Sequence, residues 1–189
     1  MSPAALEFLA TRRSRPARTL GLPVPDRAAV MQMLTIAARV PDHGKLEPWR
    51  FIALEQPALR RLAALADARA AALGLATDRA AKGREQFSDG NLVIAVVASP
   101  KGFDRIPEVE QTLSTGAVCL SLVNAVLASG WGANWLTGWP AYDRGFVETG
   151  LGLADHEWIA GFIHVGTPSA VPPDRPRPDI DAITTWADT

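Results

Sequence analysis

Apolar residues recur along this chain in two rhythms, one with helical spacing and one nearly continuous. "SPAALEFLATRR" carries Leu6, Leu9 and Ala10 on one side of a helix, with Ser2 as its cap and Pro3 in its first turn. "LGLPVP" interrupts the rhythm as an extended segment. Asp26 then opens a second helix, "RAAVMQMLTIAARV", whose spacing makes Val30, Met31, Leu34 and Ala38 its apolar face, and Pro41 ends it. "WRFIALE" (49–55), bounded by Pro48 and Pro57, reads as a strand. Residues 57–73 and 77–87 read as helices, the second more exposed. "NLVIAVVAS" (91–99) is continuously apolar and β-branched, the mark of a strand buried on both faces. The stretch 108–129 is a long helix that from Ala117 to Ala128 is apolar almost all round, which predicts burial on every side, in a core or across a subunit interface. "GANWLTG" follows as a strand, then a short helix near 143–148 and a last strong strand at 157–166. Prolines 168, 172, 173, 176 and 178 make the tail an extended surface segment, expected to lie on this chain or on a partner subunit. Strands spaced this irregularly argue against simple βαβ winding and for a single mixed α/β domain over 1–189.

Composition narrows the class of protein. With 19 basic and 20 acidic residues, no global field draws the chain to nucleic acid or membrane. Cys119 is the one cysteine, so no intramolecular disulfide forms, and its apolar setting makes it a packed small hydrophobe. The N-terminal stretch has no secretory hydrophobic region, and a soluble cytoplasmic protein is expected.

Several familiar chemistries are missing. There is no G-x-x-x-x-G-K-[ST] phosphate loop, no complete G-x-G-x-x-G fingerprint and no G-x-S-x-G elbow. His43, His156 and His164 are too scattered for metal-ligand spacing, and His164, inside an apolar strand, reads as a structural histidine with its hydrogen bonds satisfied. No catalytic acid–base pair stands out.

Four constellations remain, each with two readings. Arg12, Arg13 and Ser14 end the first helix; they suit a phosphate, but cations also favour the negative end of any helix. In "RVPDHGKLEPWRF" (39–51), Arg39 and His43 project from a loop between a helix end and a strand start, where Asp42 could equally make a turn to Gly44. "GWGANWLTG", with Trp131, Trp135 and nearby Trp139, suits a flat ring ligand or ordinary core packing. Arg175 and Arg177 are basic residues of a tail that could simply be solvated.

In their order along the chain, these pieces resemble the FMN-dependent nitroreductase family, in particular its small members, and "RVPDHGKLEPWRF" is the most specific of them. The resemblance implies an α+β fold, a three-layer α-β-α sandwich around a central mixed, mostly antiparallel sheet. It implies a homodimer with FMN at the subunit interface and ping-pong transfer of a hydride from NAD(P)H (NADH or NADPH), through flavin N5, to a nitro or similarly electron-poor compound. By the same resemblance Arg12, Arg13 and Ser14 hold the FMN phosphate and ribityl chain. Arg39 and His43 contact the flavin, from their own subunit or the neighbouring one. Leu136, Thr137 and Gly138 line the isoalloxazine, residues 125–130 match a stretch assigned to the nicotinamide nucleotide, and Arg175 or Arg177 adds a phosphate cation. Larger members place a lysine at the flavin pyrimidine edge where this chain has Pro16, which leaves that charge to Arg39 or, second, Arg18. The flavin would supply the redox chemistry, which accounts for the missing acid–base set. A non-catalytic FMN-storage protein, or the same fold running dehalogenation, dehydrogenation or flavin modification, are the alternatives.

Overall fold

A computed structural model describes residues 3–102 and 105–187, so Ser2, the expected cap of the first helix, lies outside the described residues. The helices are α1 (Pro3–Thr11), α2 (Arg27–Ala37), α3 (Gln56–Ala72), α4 (Thr77–Ser88), α5 (Glu108–Ala128) and α6 (Arg144–Leu151). The strands are β1 (Leu20–Gly21), β2 (Trp49–Glu55), β3 (Leu92–Ala98), β4 (Gly132–Leu136) and β5 (Trp158–Pro168). They form one sheet of order β1-β5-β3-β2, with β4 beside β5, and every pairing among the described residues is antiparallel.

Side-chain alternation along β3 divides the interior in two. Val93, Ala95 and Val97 face a core built with Leu59 and Leu62 of α3, Phe87 of α4 and Phe146 of α6. Leu92, Ile94 and Val96 face a second core built with Val30 and Met33 of α2 and Val118, Leu122 and Val126 of α5. β3 is buried throughout because helices cover both faces of the sheet, which is why its sequence is continuously apolar and not alternating. The result is a three-layer α-β-α sandwich.

Three helix faces differ from the periodicity reading. Asp26 caps α2 as expected, accepting from the Ala29 amide at 2.8 Å, but the core face is Val30, Met33 and Ala37, while Met31 is 61% exposed. The two stripes differ by a rotation of less than one residue's turn, and only docking onto the sheet chooses between them. Leu6 and Leu9 of α1 face outward, and α1 buries no residue. α5 is buried on one side only. Its opposite side leaves Val109, Leu113 and Leu120 exposed, so the all-round apolar character is not used up inside this chain. Among the described residues α5 is the one helix long and apolar enough to cross a membrane, but half of its most apolar window is buried in the fold.

Cys119 is fully buried on α5, and burial pushes its thiol up to about 12. The native protein is therefore expected to show no reaction with a thiol reagent at pH 8, and one equivalent on denaturation. Rapid labelling of the folded state would contradict this placement.

From Ser169 to Ala187 the chain has no strand or α-helix, only a single helical turn at Asp181–Ile183. It exposes Val171, Ile180, Ile183 and Trp186, as an extended tail does.

Candidate functional site

The chain leaving α1 runs along the start of β4. The Arg15 amide donates to the Ala133 carbonyl at 2.8 Å, and Asn134 Nδ2 donates to the Arg15 carbonyl at 2.8 Å. These bonds fix Arg12, Arg13 and Ser14 beside the strand. Arg12 Nη2 donates to Ser14 Oγ at 3.1 Å. Arg13 donates to the Pro173 carbonyl and pairs with Asp174 at 3.3 Å, which ties the tail to this spot. Asp174 also accepts from Arg177 at 3.2 Å.

Burial lowers the Arg12 pKa from its usual value, and repulsion from Arg177 and Arg13 lowers it further. Two guanidinium groups, of Arg13 and Arg177, thus share one exposed carboxylate with Arg12 near enough to be repelled by both, and Arg12 Nε and Arg15 Nη1 are buried without a hydrogen-bond partner among the described residues. An excess of fork-shaped donors with unfilled valence is the donor set of an anion receptor. Of the two tail arginines, Arg177 joins this cluster, whereas Arg175 donates its backbone amide to Asp174.

β4 leads from this cluster to a cavity of about 630 Å³ whose walls include Lys82, Gln86, Leu136, Thr137, Gly138 and Tyr142. That size lies within the range of small-molecule sites. Trp135 and Trp139 both border the cavity. Trp139 is also part of the core, donating to the Arg79 carbonyl at 3.0 Å and meeting Phe146 edge-on at 6.3 Å. Trp135 is 38% exposed on the cavity wall, held by a bond from Nε1 to the Ala160 carbonyl at 3.0 Å. Residues 125–130 close the end of α5: Ala125 and Val126 are buried, and the Ser129 and Gly130 amides are spent on helix carbonyls.

Arg39 and His43 are elsewhere. His43 Nδ1 meets Glu110 Oε2 at 2.7 Å, at the N-terminal end of α5. The Arg12–Arg15 segment sits by the strand that leaves the other end of that helix, which its 21 residues make roughly 30 Å long. One chain does not bring the two groups together. The loop itself has a local explanation that differs in detail from the expected turn. The Asp42 carboxylate accepts from the amides of Leu46 (3.2 Å) and Glu47 (2.9 Å), not from Gly44. Gly44 holds φ 74°, and a Cβ there would stand 2.4 Å from the Ile106 side chain. These constraints shape the loop and leave Arg39 and His43 exposed.

Sequence reasoning predicted α4 as a helix but gave it no part in the site. Arg79, Lys82, Gly83 and Gln86 all line the ring-sized cavity, and their i, i+3, i+4, i+7 spacing was a legible stripe. It also misjudged His164, which is buried as expected but has Nε2 unpartnered among the described residues. Desolvation lowers its pKa to about 4. Arg18 lines a small pocket together with Gln86 and His164.

The fold is that of the nitroreductases. A nitroreductase-like family protein from Bacillus cereus superimposes with a TM-score of 0.82, covering 100% of this chain and 98% of its own at 20% identity. An FMN-dependent nitroreductase from Clostridium difficile R20291 superimposes with a TM-score of 0.70, covering 97% and 99% at 16% identity. In sequence, the protein named "Putative NAD(P)H nitroreductase YdjA" of Escherichia coli (strain K12) is 31% identical over 164 residues, 87% of this chain and 88% of its own. The Nitroreductase family pattern matches residues 9–167. The chain belongs to the nitroreductase family and is an oxidoreductase.

Proposed function

We propose that this chain, as one domain, binds FMN and uses NAD(P)H to reduce nitro or similarly electron-poor compounds, working as a homodimer. The observation that carries the reading is the Arg12–Arg13–Arg177 cluster, with its buried, unpartnered Arg12 Nε, at the head of a strand that leads into a ring-sized cavity. From Ala133 to Leu136 is roughly 10 Å of strand, a span that a phosphate, ribityl chain and flat ring together bridge. FMN, when bound, would accept the hydride of the nicotinamide and pass it on.

The chain's own residues would bind and orient. Arg12, Arg13 and Arg177 hold the phosphate, with Ser14 beside them. Leu136, Thr137 and Gly138 shape the ring slot, and Lys82 supplies a cation to its wall. Arg39 and His43, remote within one chain, would reach the site of a second copy. The exposed stripe Val109, Leu113, Leu120 and the exposed tail give such a copy apolar surface to cover.

Arg12→Ala is expected to weaken FMN binding by about 1.5–3 kcal/mol, roughly 10- to 150-fold, as loss of a charged hydrogen bond does. Titration followed by quenching of flavin fluorescence reads this directly. Affinity unchanged from wild type would remove Arg12 from the site, and wild-type protein that takes up no FMN would end the proposal.

A further inference from the structure

Gln86 of α4 borders two cavities at once. One is the ring-sized cavity of Leu136, Thr137 and Gly138. The other is a smaller pocket of about 160 Å³ lined by Ala17, Arg18, Glu85, Asp89, His164 and Gln86 itself. The amide oxygen lies on the ring side. A Cβ placed on Gly138 would stand 3.0 Å from Gln86 Oε1, and Gly138 holds φ 74°, so the missing side chain there is what lets the carboxamide border the larger cavity. The amide nitrogen is buried and has no partner among the described residues.

His164 shows the same deficit from the opposite wall. In β5 it pairs with Val93 on one side and Asn134 on the other, and its side chain borders the pocket formed with α4. Its Nε2 is buried and unpartnered among the described residues. A carboxamide N–H is a donor, and in a neutral imidazole one ring nitrogen is an acceptor, here Nε2 when Nδ1 carries the hydrogen. The two are complementary, and the pocket they both line is bordered mainly by charged and polar residues and exceeds the volume one water needs to bridge them. Burial keeps the imidazole uncharged at neutral pH, with its pKa near 4, so the acceptor is available.

We propose that His164, acting across the small pocket, holds the Gln86 carboxamide with its oxygen turned to the ring cavity, where Gln86 accepts a hydrogen bond from the imide N–H of the bound flavin. This rests on the FMN reading above. Gln86 is then a ring-recognition residue, and His164 a positioning residue that acts through it. The pairing is specific to the atom recognised: it selects heterocycles that carry an imide N–H at that edge.

The test is a cycle between protein and ligand. FMN and its N3-methyl derivative, which lacks the imide hydrogen, are titrated into wild type, Gln86→Ala and His164→Leu by fluorescence quenching. Wild type is expected to bind FMN about 10-fold tighter than the N3-methyl form, the fold-change of one directed hydrogen bond. Gln86→Ala is expected to bind both within about 2-fold, and His164→Leu to lose most of the discrimination while still binding FMN. A general loosening of the fold would weaken both ligands together and leave their ratio unchanged. If wild type binds FMN but treats the two flavins alike, or if Gln86→Ala discriminates as wild type does, the inference fails and the FMN reading stands. Full discrimination in His164→Leu overturns the role of His164. If wild type binds neither flavin, the FMN reading has failed and takes this one with it.

Discussion

Phe87→Ala is expected to lower stability by about 3–5 kcal/mol, the usual cost of emptying an aromatic site in a packed core. Phe87 is fully buried, stacked on Phe146 at 5.2 Å and edge-on to Phe162 at 5.3 Å. The three rings join α4, α6 and β5, so one deletion removes contacts from three elements, and the aromatic pairs add to the area lost. In a chain of this size that corresponds to a fall in Tm of roughly 6–20 °C, measurable by circular dichroism. The effect should also reach the site. Phe87 anchors the helix that carries Lys82 and Gln86 to the cavity, so FMN affinity of the folded variant is expected to fall as well. A Tm within about 3 °C of wild type would mean that α4 is held by something other than this cluster.

The second large effect belongs to Glu157, a carboxylate 6% exposed at the start of β5. Arg50 Nε and Nη2 each donate to one of its oxygens at 2.7 Å, and the Ala154 amide adds a third bond at 3.0 Å. Arg50 pairs with Val97 of β3, and β3 in turn pairs with Trp158, so the ion pair clamps β2 and β5 across the central strand. The side-chain bonds from Arg50 hold the Glu157 pKa down at about 2. The sign follows from linkage. The folded state prefers the ionised form, so the stabilisation is fully present above the unfolded value near 4.5 and is lost as the pH falls through about 2. The difference is worth about 3 kcal/mol. Glu157→Gln is therefore expected to be less stable than wild type by about that amount at pH 7, with the gap closing steadily between pH 4.5 and 2. Urea unfolding of both proteins across that range checks it, and a gap independent of pH would show that the charge is not what matters.

Much of the scaffold was legible before any coordinates. The strand 49–55 has the bounds its flanking prolines imply, and Leu92–Ala98, within the expected 91–99, is buried on both faces as its continuous apolar run requires. The Asp26 cap forms, and Cys119 is buried. The cationic half of the candidate site was legible too, because Arg12, Arg13 and Ser14 are adjacent in the chain and one helix end suffices to present them. The other half was not. Lys82 and Gln86 were read as part of an exposed helix, and His164 as a satisfied core residue, because nothing local to either segment says that α4 and β5 border a common pocket.

What the sequence determined by itself is whatever depends on neighbours within one or two turns: the type and approximate position of the main helices and strands, the Asp26 cap, and the family order of its motifs. Tertiary structure alone decided which stripe of α2 faces inward, that α5 keeps an apolar side uncovered, and that Arg177 and not Arg175 meets Arg12. It also decided that Arg39 and His43 lie near the far end of α5 from Arg12. The reason is range. Backbone propensity and capping act between residues close in sequence, whereas a helix's rotation about its axis, the neighbours of a buried side chain and the convergence of like charges are set by packing between segments 60 to 160 residues apart.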